Sequence, residues 1–284
     1  MRVLVTGAAG QLGQTVAHRF APHHDVVACD RATLDITHAE AVRETARRAR
    51  ADVIINCAAY NDVDGAEDHA PRALAINSWA VRTLARAARD TGATLVHYST
   101  DFVFDGTADE PYPETSAPAP RGAYATSKLI GEWCAADAPS HYVLRVESLF
   151  GGPAAKSSVD HLLAGILAGR PARAFADRAV SPSYVDDVAD ATRDLLERRA
   201  PHGLYHCVNT GWTNWLDLAR HLATLAGRPD AEIVPSNMAD ARLRVPRPLF
   251  AALSNDKLRH AGVTMPSWED ALARYVRATM ARAT

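Results

Sequence analysis

Tyr124 and Lys128 stand four residues apart in the run Gly122-Ala-Tyr-Ala-Thr-Ser-Lys128. On a helix that spacing puts both side chains on one face, with Cβ atoms roughly 5 to 6 Å apart, so the ammonium charge acts on the phenol without blocking it. A free Tyr titrates near pH 10, and each unit of lowering needs about 1.4 kcal/mol of preference for the phenolate, which a nearby cation can supply. The pair is expected to be a proton donor usable near neutral pH. Thr100 ends the apolar run at 94–98 and its Ser99-Thr100-Asp101-Phe102 continuation, where a hydroxyl can complete a hydrogen-bond triad with Tyr124 and Lys128. Tyr-x-x-x-Lys arises by chance in many helices, so the surrounding elements must decide its meaning.

The chain begins with a β-branched apolar run at 2–6, passes at once into Gly7-Ala-Ala-Gly-Gln-Leu-Gly13, and continues with helical spacing over 14–20. Strand, glycine turn and helix in that order form a dinucleotide-pyrophosphate site. Gly7, Gly10 and Gly13 let the backbone approach the phosphates, and Gln11 and Leu12 open a helix whose N-terminus offers free N–H groups. Asp30 closes a second strand at 25–29, placed to accept from the adenosine ribose hydroxyls of NADH; Arg31 beside it could instead receive the 2′-phosphate of NADPH, so either nicotinamide cofactor fits. Asp35 and Ile36 read equally as neighbours of the adenine or as an ordinary turn.

A helix is expected at 38–50 and a buried strand at 52–57. The small residues Cys57, Ala58 and Ala59, with Tyr60, would floor the cofactor site. Asp64 and Glu67 fit a helix N-cap and its reciprocal partner. A long helix over 71–91 closes at Gly92 and carries Asn77, read as a backbone-bonding core residue or a positioner of Lys128. The proline-rich stretch before Tyr124 reads as a surface excursion. After a strand at 141–146 the alternation breaks, placing a limit near Gly151. The expected organisation is α/β: a Rossmann-like doubly wound parallel sheet over 1–150, with 179–208 returning to it, and a smaller α+β substrate lobe over most of 151–284. Trp212 and Trp215 are expected to pack that lobe.

A net charge of −2 with 23% charged residues gives no basic field for nucleic acid or an anionic membrane. The four cysteines, Cys29, Cys57, Cys134 and Cys207, lie far apart without a CxxC pair, as expected of reduced residues in a cytoplasmic protein. Neither they nor the twelve histidines form a metal-ligand pattern. No apolar run approaches the roughly 18 residues of a membrane span, and no export signal is expected.

With Gly7, Gly10 and Gly13, then Thr100, Tyr124 and Lys128 in this order, the chain resembles the extended short-chain dehydrogenase/reductase superfamily. Within it the sequence is most similar to the dTDP-4-dehydrorhamnose reductase family, through residues 7–13, 56–67, 97–106, 124–132, Arg247-Pro248 and 253–258. The resemblance implies reduction of the 4-keto group of a nucleotide-linked 6-deoxyhexose by a nicotinamide cofactor. Lys128 would hold the nicotinamide ribose and lower the Tyr124 pKa, Tyr124 would protonate the carbonyl oxygen, and Thr100 would hydrogen-bond it. Ser99 would lie on the cofactor side, and Asp101, Phe102, Ser148 and Arg247 on the sugar side. Phe102 and Ser148 stand where the family usually carries Tyr and Trp. Thr15 stands where metal-bridged members carry an acid, so a homodimer is expected without the magnesium link.

Two competing readings follow from the same resemblance. A sugar 4,6-dehydratase needs an Asp-Glu pair directly after the Thr, and here Phe102 follows Asp101. A regulatory subunit, as in the β-subunit of methionine adenosyltransferase, would bind without turning over; the intact Thr100, Tyr124 and Lys128 favour an enzyme.

Overall fold

In the computed structural model residues 1–153 and 156–283 are described; residues 154, 155 and 284 of the expected second lobe lie outside them. The first half alternates β1 (Arg2–Thr6), α1 (Gln11–Phe20), β2 (Asp25–Cys29), α2 (Ala39–Ala49) and β3 (Val53–Asn56). It continues with α3 (Ala70–Leu74), α4 (Ala80–Thr91), β4 (Thr94–Thr100), α5 (Gly122–Ala135) and β5 (His141–Val146). Then come β6 (Leu149–Phe150), α6 (Ser158–Leu167), β7 (Ala172–Phe175), β8 (Ala179–Val180), β9 (Ser183–Tyr184), α7 (Val185–Glu197) and β10 (Gly203–His206). The chain ends with β11 (Thr213–Asn214), α8 (Trp215–Leu225), β12 (Ile233–Ser236), α9 (Asp256–His260) and α10 (Trp268–Ala283).

Six strands form one parallel sheet in the order β10-β5-β4-β3-β1-β2. Helices cover both faces, so the central strands are withdrawn from water: every residue of β3 is buried. The edge strand β2, by contrast, leaves Asp25, Val27 and Ala28 exposed. One core cluster joins α1 and α7 to one face, and another joins α2 and α4 to the other. On α4 the buried stripe Val81, Leu84, Ala85, Ala88 has the helical period, and Gly92 ends the helix with φ 71°. The architecture is the expected α/β, Rossmann-like doubly wound sheet, with its switch point between β1 and β3.

After β6 the chain leaves the sheet for α6 and β7, returns through α7, which packs on α1, and adds β10 beside β5. The remaining strands make only small pairs: β7 with β12, β8 with β11 and β6 with β9. Packed with α6, α8 and α10, they form the α+β lobe.

Three expectations are corrected. The helix expected over 71–91 contains a π-helical segment at Ala75–Trp79, which Gly131 of α5 faces so closely that a Cβ there would lie 2.1 Å from the Asn77 carbonyl oxygen. The proline-rich stretch is not purely a surface excursion: Tyr112 stacks on Phe104 at 4.1 Å and exchanges backbone hydrogen bonds with Ala252 and Ser254. Trp215 is buried in the lobe, but Trp212 is 48% exposed and touches Phe250 edge-on.

Candidate active site

The turn after β1 is built for close approach. Gly7 has φ 69°, and a Cβ there would sit 2.5 Å from the Ala58 nitrogen. A Cβ on Gly13 would lie 2.2 Å from the Gly7 carbonyl oxygen, so only glycine lets α1 dock on the turn. The N-cap, Gly10, gives α1 no side-chain cap, which leaves its first N–H groups and its positive dipole end for an anion. Gln11 donates through Nε2 to the Gly151 carbonyl at 2.9 Å, fastening this helix to the start of the second lobe.

Two cavities meet over this turn. The first, about 600 Å³, is lined by Gly7 and Gly10, by Arg31, Asp35 and Ile36, and by Cys57, Ala58, Ala59 and Tyr60. The second, about 320 Å³, is lined by Gln11 and Leu12, by Ser99, Thr100, Asp101 and Phe102, by Tyr124 and Lys128, and by Glu147 and Ser148. They share Gly10, Cys57, Ala58, Ala59 and Asn61, so one groove runs from Arg31 past the glycine turn to Tyr124. Asp35 and Ile36 therefore face the groove, although the Asp35 carboxylate also accepts from Thr37 Oγ1 at 2.7 Å. Asp30 lies off the lining, its Oδ1 accepting from the Thr33 backbone at 2.9 Å and hydroxyl at 2.8 Å, bonds that lower its pKa.

Tyr124 and Lys128 of α5 are both buried at the inner end of the groove. Burial lowers the Lys128 pKa to about 8, against the opposing pull of Glu132, and its Nζ donates to the Tyr98 carbonyl at 2.6 Å. The expected lowering of the Tyr124 phenol is corrected: burial and then the Asp101 charge push it up, the Thr100 hydroxyl acting the other way. Desolvation outweighs any help from Lys128, whose hydrogen bond goes to a backbone carbonyl. Tyr124 is thus held firmly protonated, the state a proton donor needs.

Thr100 Oγ1 donates to Asp101 Oδ1 at 2.9 Å and accepts from the Phe102 N–H at 3.2 Å. Burial raises the Asp101 carboxyl to about 6 although Arg178 opposes it. Glu147, one residue beyond β5, is raised well above the carboxylate range by burial and then by Asp101. Sequence reading missed Glu147 as a site residue; its place at the carboxyl end of a sheet strand was the available signal. Arg178, which lies over the Phe102 ring at 5.8 Å, could not have been found without the fold. Ser148 adopts φ 43°, a left-handed conformation that a non-glycine residue holds only when its surroundings impose it.

The support differs from expectation in several places. Asp64 and Glu67 form no capping box. Glu67 Oε1 instead accepts from the Ala123 N–H at 2.6 Å, capping the helix that carries Tyr124. Asp64 takes a two-point contact from Arg247 at 3.0 and 2.8 Å, which lowers its pKa. Arg247 therefore stands outside both cavity linings, packed over Phe102 at 5.8 Å. Asn77 bonds the Tyr60 backbone at 2.8 and 3.1 Å and Ser127 Oγ at 2.9 Å, fulfilling the core reading rather than positioning Lys128. Ser99 Oγ is committed to Glu132 Oε1 at 2.5 Å. Among the described residues no group of three or more His, Cys, Asp or Glu is placed to hold a metal ion, and no helix is long and apolar enough to cross a membrane.

A glycine cradle feeding a groove that ends at Thr100, Tyr124 and Lys128, on a doubly wound sheet, defines a short-chain dehydrogenase/reductase of the extended kind. Residues 1–281 match the model of the family described as the RmlD substrate binding domain, and the chain belongs to that family. It is 36% identical over 276 residues to a probable dTDP-4,6-dihydroxy-2-methyloxan-3-one 4-ketoreductase of Streptomyces antibioticus, covering 96% of this chain and 93% of the relative. It is 32% identical to the dTDP-4-dehydrorhamnose reductase of Burkholderia thailandensis, covering 98% of each. Among solved structures, dTDP-4-dehydrorhamnose reductase from Bacillus anthracis in complex with NADP superposes with TM-score 0.92 at 31% identity, covering 98% of this chain and 99% of that one.

Proposed function

We propose that this chain is an enzyme that reduces the 4-keto group of a nucleotide-linked, and specifically dTDP-linked, 6-deoxyhexose with NADPH or NADH. The observation that carries the reading is the continuous groove from the uncapped start of α1 to the Tyr124–Lys128–Thr100 cluster. The glycine turn fits a pyrophosphate because Gly7 and Gly13 let the turn and α1 pack without a clashing Cβ, which leaves the uncapped first N–H groups of α1 open to an anion. Residues 1–150 with 179–208 would hold the dinucleotide, and the lobe over 151–284 would close on the sugar. A bound nicotinamide supplies the hydride. Lys128 holds its ribose, Tyr124 gives a proton to the carbonyl oxygen, and Thr100 orients that oxygen.

The sugar is proposed to differ from the rhamnose precursor. Phe102 offers a ring where the family's Tyr adds a hydroxyl, and Ser148 leaves the space of an indole. Neither Trp212 nor Tyr184 lines the cavity to fill that space, and Tyr184 stacks on Phe150. The Streptomyces relative's named substrate carries its ketone next to a methyl-bearing ring carbon, the arrangement of a 4-keto-6-deoxy sugar. Four free cysteines accord with a reducing, cytoplasmic setting.

The test is consumption of NADPH and NADH with a panel of dTDP-4-keto sugars, products being identified by NMR. The expected result is turnover of at least one sugar other than dTDP-4-dehydrorhamnose with the higher kcat/KM. Exclusive turnover of dTDP-4-dehydrorhamnose would contradict the substrate assignment, and no turnover of any would contradict the reaction. Because Arg31 lines the groove, Arg31→Ala is expected to weaken NADPH about tenfold more than NADH, the loss of one charge-assisted contact. Equal weakening in a fluorescence titration would remove Arg31 from the 2′-phosphate.

A further inference from the structure

A separate cavity of about 490 Å³ opens in the second lobe, within the range of roughly 300 to 1,000 Å³ typical of small-molecule sites. Leu162 of α6, Phe175 at the end of β7 and Trp215 at the start of α8 give it an apolar wall of the kind a planar base packs on. Arg170, Arg173 and Arg178 line it as well, and among the described residues no carboxylate does. None of these three guanidinium groups makes a hydrogen bond or an ion pair among the described residues. Two donors of this wall, the Nε of Arg178 and the indole N–H of Trp215, are buried without a partner. A buried donor without an acceptor is costly. Positive charge, spare donors and aromatic carbon together match a ligand with anionic oxygens at one end and a flat ring at the other.

Arg178 also stands at the boundary with the inner cavity. Its Cζ lies 5.8 Å from the centroid of the Phe102 ring, and Phe102 meets the Tyr124 ring edge-on at 5.7 Å. One aromatic ring therefore separates the free guanidinium from the phenol. A hexopyranose ring is of similar size, with C1 and C4 at opposite ends. A sugar laid along Phe102 with its C4 oxygen at Tyr124 thus carries the substituent on C1 to Arg178. In a nucleotide-linked sugar that substituent is a diphosphate. Arg247, the other arginine 5.8 Å from Phe102, is spent on Asp64. The Arg178 charge is felt by Asp101 and Glu147, yet no ion pair joins it to either, so its N–H groups stay free for a ligand.

We propose that Arg178 holds the diphosphate of the nucleotide-linked sugar, and that the cavity behind it takes the nucleoside, with the base against Phe175 and Trp215. The inference rests on the ketoreductase reading, which supplies the substrate class. A planar guanidinium donates to two phosphate oxygens at once, and so fixes direction as well as position. Arg170 and Arg173, both exposed, add attraction for the anion without fixing it. Arg178 thereby determines which end of the sugar reaches Tyr124.

Calorimetric titration of the full chain with dTDP and with thymidine, NADPH being bound throughout, tests this. The wild type should bind dTDP without displacing NADPH. Arg178→Gln should weaken dTDP about tenfold or more, the scale of a charge-assisted two-point contact, and leave thymidine and NADPH within about twofold. Arg178→Lys should recover part of the dTDP affinity. Phe175→Ala should weaken dTDP and thymidine alike, and thymidine binding that ignores it overturns the nucleoside's place. Arg170→Gln combined with Arg173→Gln should weaken dTDP by a smaller factor, which keeps the test decisive if Arg178→Gln does not fold. In steady state, Arg178→Gln should raise the KM of the dTDP-keto sugar far more than it lowers kcat. Unchanged dTDP affinity in Arg178→Gln, with kcat alone reduced, overturns the proposal and makes Arg178 only a counter-charge for Asp101 and Glu147. Displacement of NADPH by dTDP also overturns it, since the nucleotide then lies in the cofactor groove. Binding of dTDP as expected, with no keto sugar reduced, would refute the ketoreductase reading and leave the nucleotide site standing.

Discussion

Tyr124 is a phenol that burial keeps neutral, and Lys128 a lysine that burial brings close to losing its charge. Tyr124→Phe is expected to bind cofactor as the wild type does and to lose about 10²-fold or more in kcat, the scale of a general acid. Unchanged turnover in the variant would remove Tyr124 from the chemistry. Lys128 is held at about 8, so its ammonium is intact below that pH and converts to the amine as pH rises through it. Cofactor affinity is therefore expected to fall above about pH 8, and the fall should vanish in Lys128→Met. An affinity that stays flat across roughly pH 7 to 9 in the wild type would show that the charge does not hold the cofactor. Both residues were legible from their spacing, but the direction of the Tyr124 shift was not: a spacing rule reports which charge is near and says nothing of how much water is lost.

At the scale of elements, α5 carries both residues and is fixed from three sides. Glu67 caps its first turn, the π-helical segment accepts Gly131 against the Asn77 carbonyl, and Glu132 pins it to the sheet. Glu132 takes two contacts from Arg145 of β5, at 2.8 and 2.7 Å, and one from Ser99 of β4, with all three side chains buried. Glu132→Ala leaves the Arg145 charge buried without its partner and is expected to cost about 3 to 5 kcal/mol by denaturant unfolding. A loss below about 1 kcal/mol would mean that water or another group takes over the pairing. Elements with a clear apolar run were legible to within a few residues: β2 and β5 fall at the expected bounds. Asp64 and Glu67 were misread because the local pattern of a capping box is satisfied by the sequence, while their partners, Arg247 and Ala123, arrive from 183 and 56 residues away. The π-helical segment leaves no periodic trace, since it follows from packing against a glycine on another helix.

Across the whole molecule, the sheet presents the carboxyl ends of β1, β3, β4 and β5 to one groove, and the second lobe brings Arg178 against its inner end. The cofactor half of that groove was legible because glycine turns and small residues are local requirements. The sugar half was not, because Glu147, Ser148 and Arg178 meet only after the lobe folds back, and Arg247 turned out to be held by Asp64 at the rim. The proposed reaction stands or falls on hydride delivery to the C4 carbonyl from the groove beside Tyr124. The most direct measurement uses NADPH carrying deuterium at the transferring carbon with a dTDP-4-keto-6-deoxy sugar, followed by NMR of the product. One deuterium bonded to C4 of the sugar is expected for each cofactor oxidised, and it should be lost together with turnover in Tyr124→Phe. Cofactor oxidised without deuterium at C4, or a product labelled at another carbon, would contradict it.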